Sequence, residues 1–397
     1  MTATAPVQTR RGGATAAKLT LHNPSPYERG GRVIIPWKPI AGRLGSPSHV
    51  RVFRDYGSGH RVELTAQIDK VDPSDDTRDQ LVVALNDILP AGDEDYRTTC
   101  GDLVVEAADP YPAAAGPDAI KLLHGVKFDN GRFTVWLNTA SHHDAPENHW
   151  FGGAVTSARL DDGELLDPIA DDLGWPHDPD KRALQIDRIH LVRGPWDEDG
   201  SFDAYIFNQP WTCAATCSGP LRATALIVSS NFHFECRDAD QQQRRFDCAV
   251  YRAVSIFAGS DLVVEKMWVR ADVDGKTGPV DLWFSPRYFM LVNLSLEAIT
   301  FRYPDHPGWF AVLAERGRQH GYAFATDAYA GAIWHPPLDH RNRATRHRAY
   351  SWELGATREA NTAHLFRRDT STQELTDAIG WAWYDLTYKP LRAELVP

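Results

Sequence analysis

The chain has 397 residues, of which 43% are hydrophobic and 24% charged, and its formal net charge is -11. That length can bury a large core and accommodates two domains, and the composition is that of a globular chain, not a disordered one. The acidic balance argues against general nucleic-acid binding and attraction to anionic membranes, and no apolar run approaches the about 18 residues of a membrane span.

The 13 Trp, 13 Tyr and 16 Phe stand beside 29 Gly and 26 Pro. So many aromatics and turn formers point to strands and turns, and aromatics also line carbohydrate clefts. Residues 1–17 carry two arginines with no apolar segment behind them. They read as a disordered tail without a secretory signal, which sets a cytoplasmic location as the expectation.

Residues 18–109 form a first unit. "HVRVFRD" alternates apolar and polar residues with period two, and "RVELTAQIDKV", "DQLVVALNDI" and "DLVVEAA" continue the pattern without helical periodicity. A small β-sandwich or barrel is expected. The Pro- and Ala-rich "PYPAAAGPD", residues 110–118, reads as a linker.

Residues 119–397 form the second unit. In "RFTVWLNT", Phe133, Val135 and Leu137 share one face, with Arg132, Thr134 and Trp136 on the other. "LRATALIVSS", "YRAVSIFAGSDLVVEKMWVRADV" and "VDLWFSPRYFMLVNLSLEAITFRYP" extend the alternation, and such long consecutive strands need a large pair of sheets. The fold expected is therefore mostly β: a small N-terminal β-sandwich or barrel followed by a large two-sheet supersandwich. Ser371 and Glu374 form an S-x-x-E box before "LTDAIGWAWYDL", a segment that fits a helix or a final strand equally.

The five cysteines, Cys100, Cys213, Cys217, Cys236 and Cys248, are odd in number and favour reduced thiols. "CAATC" is a loose match to a zinc site, and buried thiols on neighbouring strands are the simpler expectation. Isolated histidines such as His233 and His320 read as structural or surface groups.

"LTLHNPSPYERGGRVIIPW" and "VRVFRDYGSGHRVELTAQID" together resemble the small β domain of rhamnogalacturonan-lyase-like proteins and of some α-mannosidases. "SGPLRATALIV", with Gly219-Pro220, and the following "YRAVSIFAGSDLVVEKMWV", with Ala258-Gly259-Ser260, resemble the galactose-mutarotase-like supersandwich of such polysaccharide-lyase-like enzymes. The resemblance implies a carbohydrate-active enzyme. The lyase-like relatives usually add an α/α-toroid, for which this chain has no helical array, so no toroid residue transfers.

Chemistry-bearing residues cluster in two stretches. The first, residues 138–153, holds His142, His143, Glu147, Asn148, His149 and Trp150. The second, "IWHPPLDHRNRATRHRAYSWELG", holds Trp334, His335, His340, Arg341, His347, Arg348, Tyr350 and Glu353 and reads as a loop between strands. β-Elimination at a uronic acid needs a cation for the carboxylate, a base near neutrality and an acid for the leaving oxygen. His149, His335, His340, Tyr350 and Glu353 are the catalytic candidates, and the remaining residues of the two stretches are the substrate-binding candidates.

Glycoside hydrolysis or transglycosylation instead needs two carboxyl groups, such as Glu147 or Asp339 with Glu353. A non-catalytic carbohydrate-binding protein would need neither. The histidine spacing does not match H-E-x-x-H, so no metal and no cofactor are expected. The expected partner is a carbohydrate substrate, with no nucleic acid and no membrane.

Overall fold

The computed structural model describes residues 16–110, 115–139, 152–161, 163–164, 184–193, 197–204, 206, 209–237, 242–277, 282–293, 296–302, 309–315, 321–327 and 347–397, apart from 94 and 97. In several strands, including His347–Glu353, it describes the backbone alone. The protein is mostly β, built from antiparallel sheets that do not close into a barrel. Among the described residues no helix is long and apolar enough to cross a membrane.

The chain divides into two compact units, residues 1–114 with 390–397, and residues 115–389. In the first, a five-stranded sheet runs in the order Arg392–Leu395, Ala16–His22, Thr99–Ala107, Val50–Asp55, Arg61–Leu64. A three-stranded sheet of Arg29–Pro36, Gln80–Leu89 and Ala66–Asp69 completes the unit. Leu19, Val52 and Val105 of one sheet and Val33 and Val83 of the other belong to one buried core, so this is a sandwich of two sheets.

Two features depart from the sequence expectation. The last strand of the chain pairs with Ala16–His22, Leu19 opposite Leu395, so 390–397 belong with this unit and not with 119–389. A helix, Trp37–Leu44, also interrupts the strands. It buries Trp37, Ile40, Ala41 and Leu44, which follow helical spacing over two turns, and Gly45 ends it in the left-handed region at φ 76.

In the second unit, nine and ten described strands form two sheets that enclose one core. Phe128, Phe133 and Tyr288 of the first sheet and Ile227, Val254 and Phe324 of the second belong to it. The alternation in Phe133–Asn138 is realised as expected, with Phe133, Val135 and Leu137 fully buried or nearly so and Trp136 turned outward. Ala323, Ala325, Ala363 and Leu365 form the outer face of the ten-stranded sheet and pack against Leu375, Ile379 and Trp383 of the helix Thr372–Trp383.

That helix settles the segment that strand and helix patterns fit equally. Ser371 Oγ accepts from Glu374 N at 3.2 Å, and Glu374 Oε2 accepts from Ser371 N at 2.7 Å, a complete capping box. Ser371→Ala is expected to cost about 1 kcal/mol, read as a lower denaturant midpoint at unchanged m-value.

Among the described residues Cys100, Cys213 and Cys248 are buried, and burial pushes the Cys248 thiol up to about 12. No described group of three or more metal-ligating side chains comes together.

Candidate functional site

Residues 140–151 and 328–346 lie outside the described residues. With them lie His142, His143, Glu147, Asn148, His149, Trp150, Trp334, His335, Asp339, His340 and Arg341. The stretch read as one loop continues as a strand, His347–Glu353, at the edge of the nine-stranded sheet. Its backbone register sets His347 opposite Asn293, Arg348 opposite Val292, Tyr350 opposite Met290 and Glu353 opposite Arg287.

The described residues bring together an acid–base pair that the sequence does not announce. His190 in Leu184–Arg193 lies directly opposite Asp203 in Asp197–Ala204. Their neighbours Ile189, Leu191 and Ala204 are buried, so period two turns His190 and Asp203 outward. His190 Nδ1 donates to Asp203 Oδ1 at 2.7 Å, and both side chains are about two-fifths exposed, at 38% and 39%. With Nδ1–H donating to the carboxylate, Nε2 is the ring nitrogen left able to accept a proton.

Arg188 Nη1 lies 3.5 Å from Asp203 Oδ2, and Arg188 stands opposite Arg287 on the next strand. Two guanidinium side chains therefore occupy directly opposed positions of one sheet face, one of them beside the Asp203 carboxylate.

The register relates this pair to the described strands on either side. Val155 pairs with Leu184, so Arg188 and His190 lie past the start of Val155–Leu160. On the other flank, Arg188 is followed across the sheet by Arg287 and then by Glu353.

Behind the outward pair, the core holds a second set of polar groups. Arg252, Glu265, His364, Tyr288 and Tyr322 occupy inward positions of five strands and are all buried. Arg252 Nε donates to Glu265 Oε1 at 2.6 Å and Nη2 to Oε2 at 2.8 Å, a bidentate pair. Tyr288 OH reaches Glu265 Oε1 at 3.4 Å. His364 Nε2 lies 3.5 Å from Glu265 Oε2, and its Nδ1 accepts from Tyr322 OH at 2.8 Å.

The charges follow from this geometry. Burial raises the Glu265 pKa, but the Arg252 guanidinium outweighs burial, with help from His364, and the carboxyl is lowered to about 2. Burial lowers the His364 pKa and keeps the imidazole neutral, while burial and the Glu265 charge hold the Tyr288 hydroxyl well above its ordinary range. Sealed from solvent, and hydrogen-bonded to one another apart from His364 Nε2, these groups cannot meet a substrate. They pin what surrounds them.

Arg252 Nη1 donates to the Gly153 carbonyl, in the turn just before the strand Val155–Leu160. Gly153 has φ +79, and a Cβ there would lie 2.8 Å from Trp211 and 2.9 Å from Arg252, so only glycine fits. Tyr288, anchored inward on Glu265, is the chain neighbour of outward Arg287. The network thus fixes the backbone on both flanks of His190.

No family model and no curated protein matches the chain. Among solved structures it is similar to an alpha-mannosidase from Enterococcus faecalis V583, with a TM-score of 0.46 and 8% identity over 97% of this chain and 46% of that one. A protein in the glycosyl hydrolase family 38 from Enterococcus faecalis gives a TM-score of 0.46 and 9% identity over 97% and 48% of the two chains. A 4-alpha-glucanotransferase from Thermococcus litoralis gives 0.29 and 9% over 65% and 40%. The chain spans about half the length of the first two proteins.

Proposed function

We propose that the protein cleaves a glycosidic bond in an anionic oligo- or polysaccharide by β-elimination at a uronic-acid unit, on the outer face of the nine-stranded sheet. The observation that carries this is the half-exposed His190, held through Nδ1 by Asp203, with Arg188 on the same carboxylate and Arg287 opposite.

Arg188 and Arg287 would receive the uronate carboxylate, and neutralising it acidifies the proton on C5. His190 Nε2 takes that proton, the C–H electrons form the C4–C5 double bond, and the C4–O bond breaks toward the leaving oxygen. That oxygen needs a proton in turn. Tyr350, His149, His335 and His340 are the proposed donors, and His142, His143, Asn148, Trp150, Trp334, Arg341, His347 and Arg348 the proposed substrate contacts. Hydrolysis would need paired carboxyl groups. Asp203 is committed to His190, so such a pair would draw on Glu147 and Glu353, neither of which elimination requires.

The test is a panel of uronate oligosaccharides followed by the ultraviolet absorbance of an unsaturated uronate and by reducing ends. Elimination yields one new double bond for each new reducing end. Reducing ends without the chromophore would establish hydrolysis instead, and binding without either product would establish a carbohydrate-binding protein.

A further inference from the structure

We propose that the same outer sheet face carries a second saccharide site, centred on Trp136 and suited to an acidic sugar, distinct from the His190 site. Trp136 is half-buried and outward, braced from below by buried Val135 and Leu137. Cations reach its indole from the strands on both sides. Lys127, directly opposite on Gly125–Asp129, places Nζ 5.8 Å from the ring centroid, and Arg159 on Val155–Leu160 places Cζ 5.4 Å from it.

Lys127 is paired with Asp129 at 2.9 Å. Arg159 is exposed and stands opposite Glu164 in the strand register. Next to Lys127, Ile120 stands on the edge strand Asp118–Leu122 and is 42% exposed, so an apolar side chain, a cation and an indole lie in one row across three strands.

This arrangement matches a sugar that rests its C–H groups on Ile120 and on the part of the indole that the two cations leave open, and turns a carboxylate toward Arg159, whose planar fork binds carboxylates bidentately. A neutral sugar would use the ring and leave the guanidinium idle.

Trp136 is level with Ser157, and His190 lies beyond Leu184, the partner of Val155. The two positions are roughly 25 Å apart along the strands at about 3.3 Å per residue. The second site therefore binds saccharide without touching the bond that His190 would cleave.

The test is calorimetric titration of the full chain carrying His190→Ala, which keeps the ligand intact, with tetrasaccharides of galacturonate, mannuronate and glucuronate and with neutral tetragalactose. Trp136→Ala is expected to weaken binding of the preferred acidic tetrasaccharide by about 10-fold or more. Arg159→Gln should weaken the acidic ligand and leave the neutral one unchanged. An unchanged melting curve for each variant excludes loss of folding. If all the acidic tetrasaccharides bind Trp136→Ala as they bind its parent, or none binds the parent, the second site is overturned. Trp136-dependent binding on a protein that shows no turnover supports this site and counts against the elimination proposed above. Turnover with binding indifferent to Trp136 does the reverse.

Discussion

Replacing His190 with alanine is expected to lower turnover of a uronate oligosaccharide by about 10²–10⁴-fold, the range for losing a positioned general base. The imidazole sits on the sheet surface with Nδ1 held at 2.7 Å by Asp203, so its removal opens a small exposed gap and leaves the core untouched. Added imidazole should therefore restore part of the activity of the alanine variant, a rescue that a purely structural role would not give.

Asp203→Asn is expected to cost less than His190→Ala, because the base remains while its tautomer and orientation are no longer fixed. Arg188→Lys keeps the charge but loses the planar fork, and should raise KM for the acidic substrate more than it lowers kcat. Wild-type turnover by His190→Ala would sink the assignment.

The β architecture was legible because period-two alternation is a local property: Phe133, Val135 and Leu137 announce a buried face without reference to any other strand. The glycine in "AGS" likewise marks its turn locally, at φ 65. The helix Trp37–Leu44 was not legible, since two turns containing Pro39 and Gly42 give too short a period to count against flanking strands.

The His190–Asp203 pair escaped for a different reason. Each residue is an ordinary polar position of an alternating strand, and only the pairing of those strands brings them within hydrogen-bond distance. The interior network did leave a trace. Arg252 shares the inward phase of Phe246, Cys248, Val250, Val254 and Ile256, and Glu265 that of Val263 and Met267. Opposite charges at inward phases of adjacent strands predict a buried pair, because neither alone could be buried at acceptable cost.

That pair carries the largest stability effect expected. Glu265→Gln removes the counter-charge of a guanidinium that is itself 3% exposed, and should destabilise the protein by about 3–5 kcal/mol in chemical denaturation. The double variant Arg252→Met/Glu265→Leu should cost less than the sum of the two single changes, since no charge is then stranded. It should not return to wild type, because Tyr288 OH, His364 Nε2 and the Gly153 carbonyl all lose a neighbour.

The acid dependence has a definite sign. Lowering the Glu265 pKa from the ordinary 4.5 to about 2 gives stability that is complete above pH 4.5 and lost as pH falls toward 2. Its size is about 3 kcal/mol. The lowered His364 pKa acts in the same direction from a higher pH, because below 6.5 the unfolded chain binds a proton that the buried imidazole refuses. Denaturant midpoints should therefore fall as pH drops below 6.5 and fall further below 4.5. In Glu265→Gln the second fall should be markedly reduced, and a wild-type acid limb in that variant would show that Glu265 is not the group responsible.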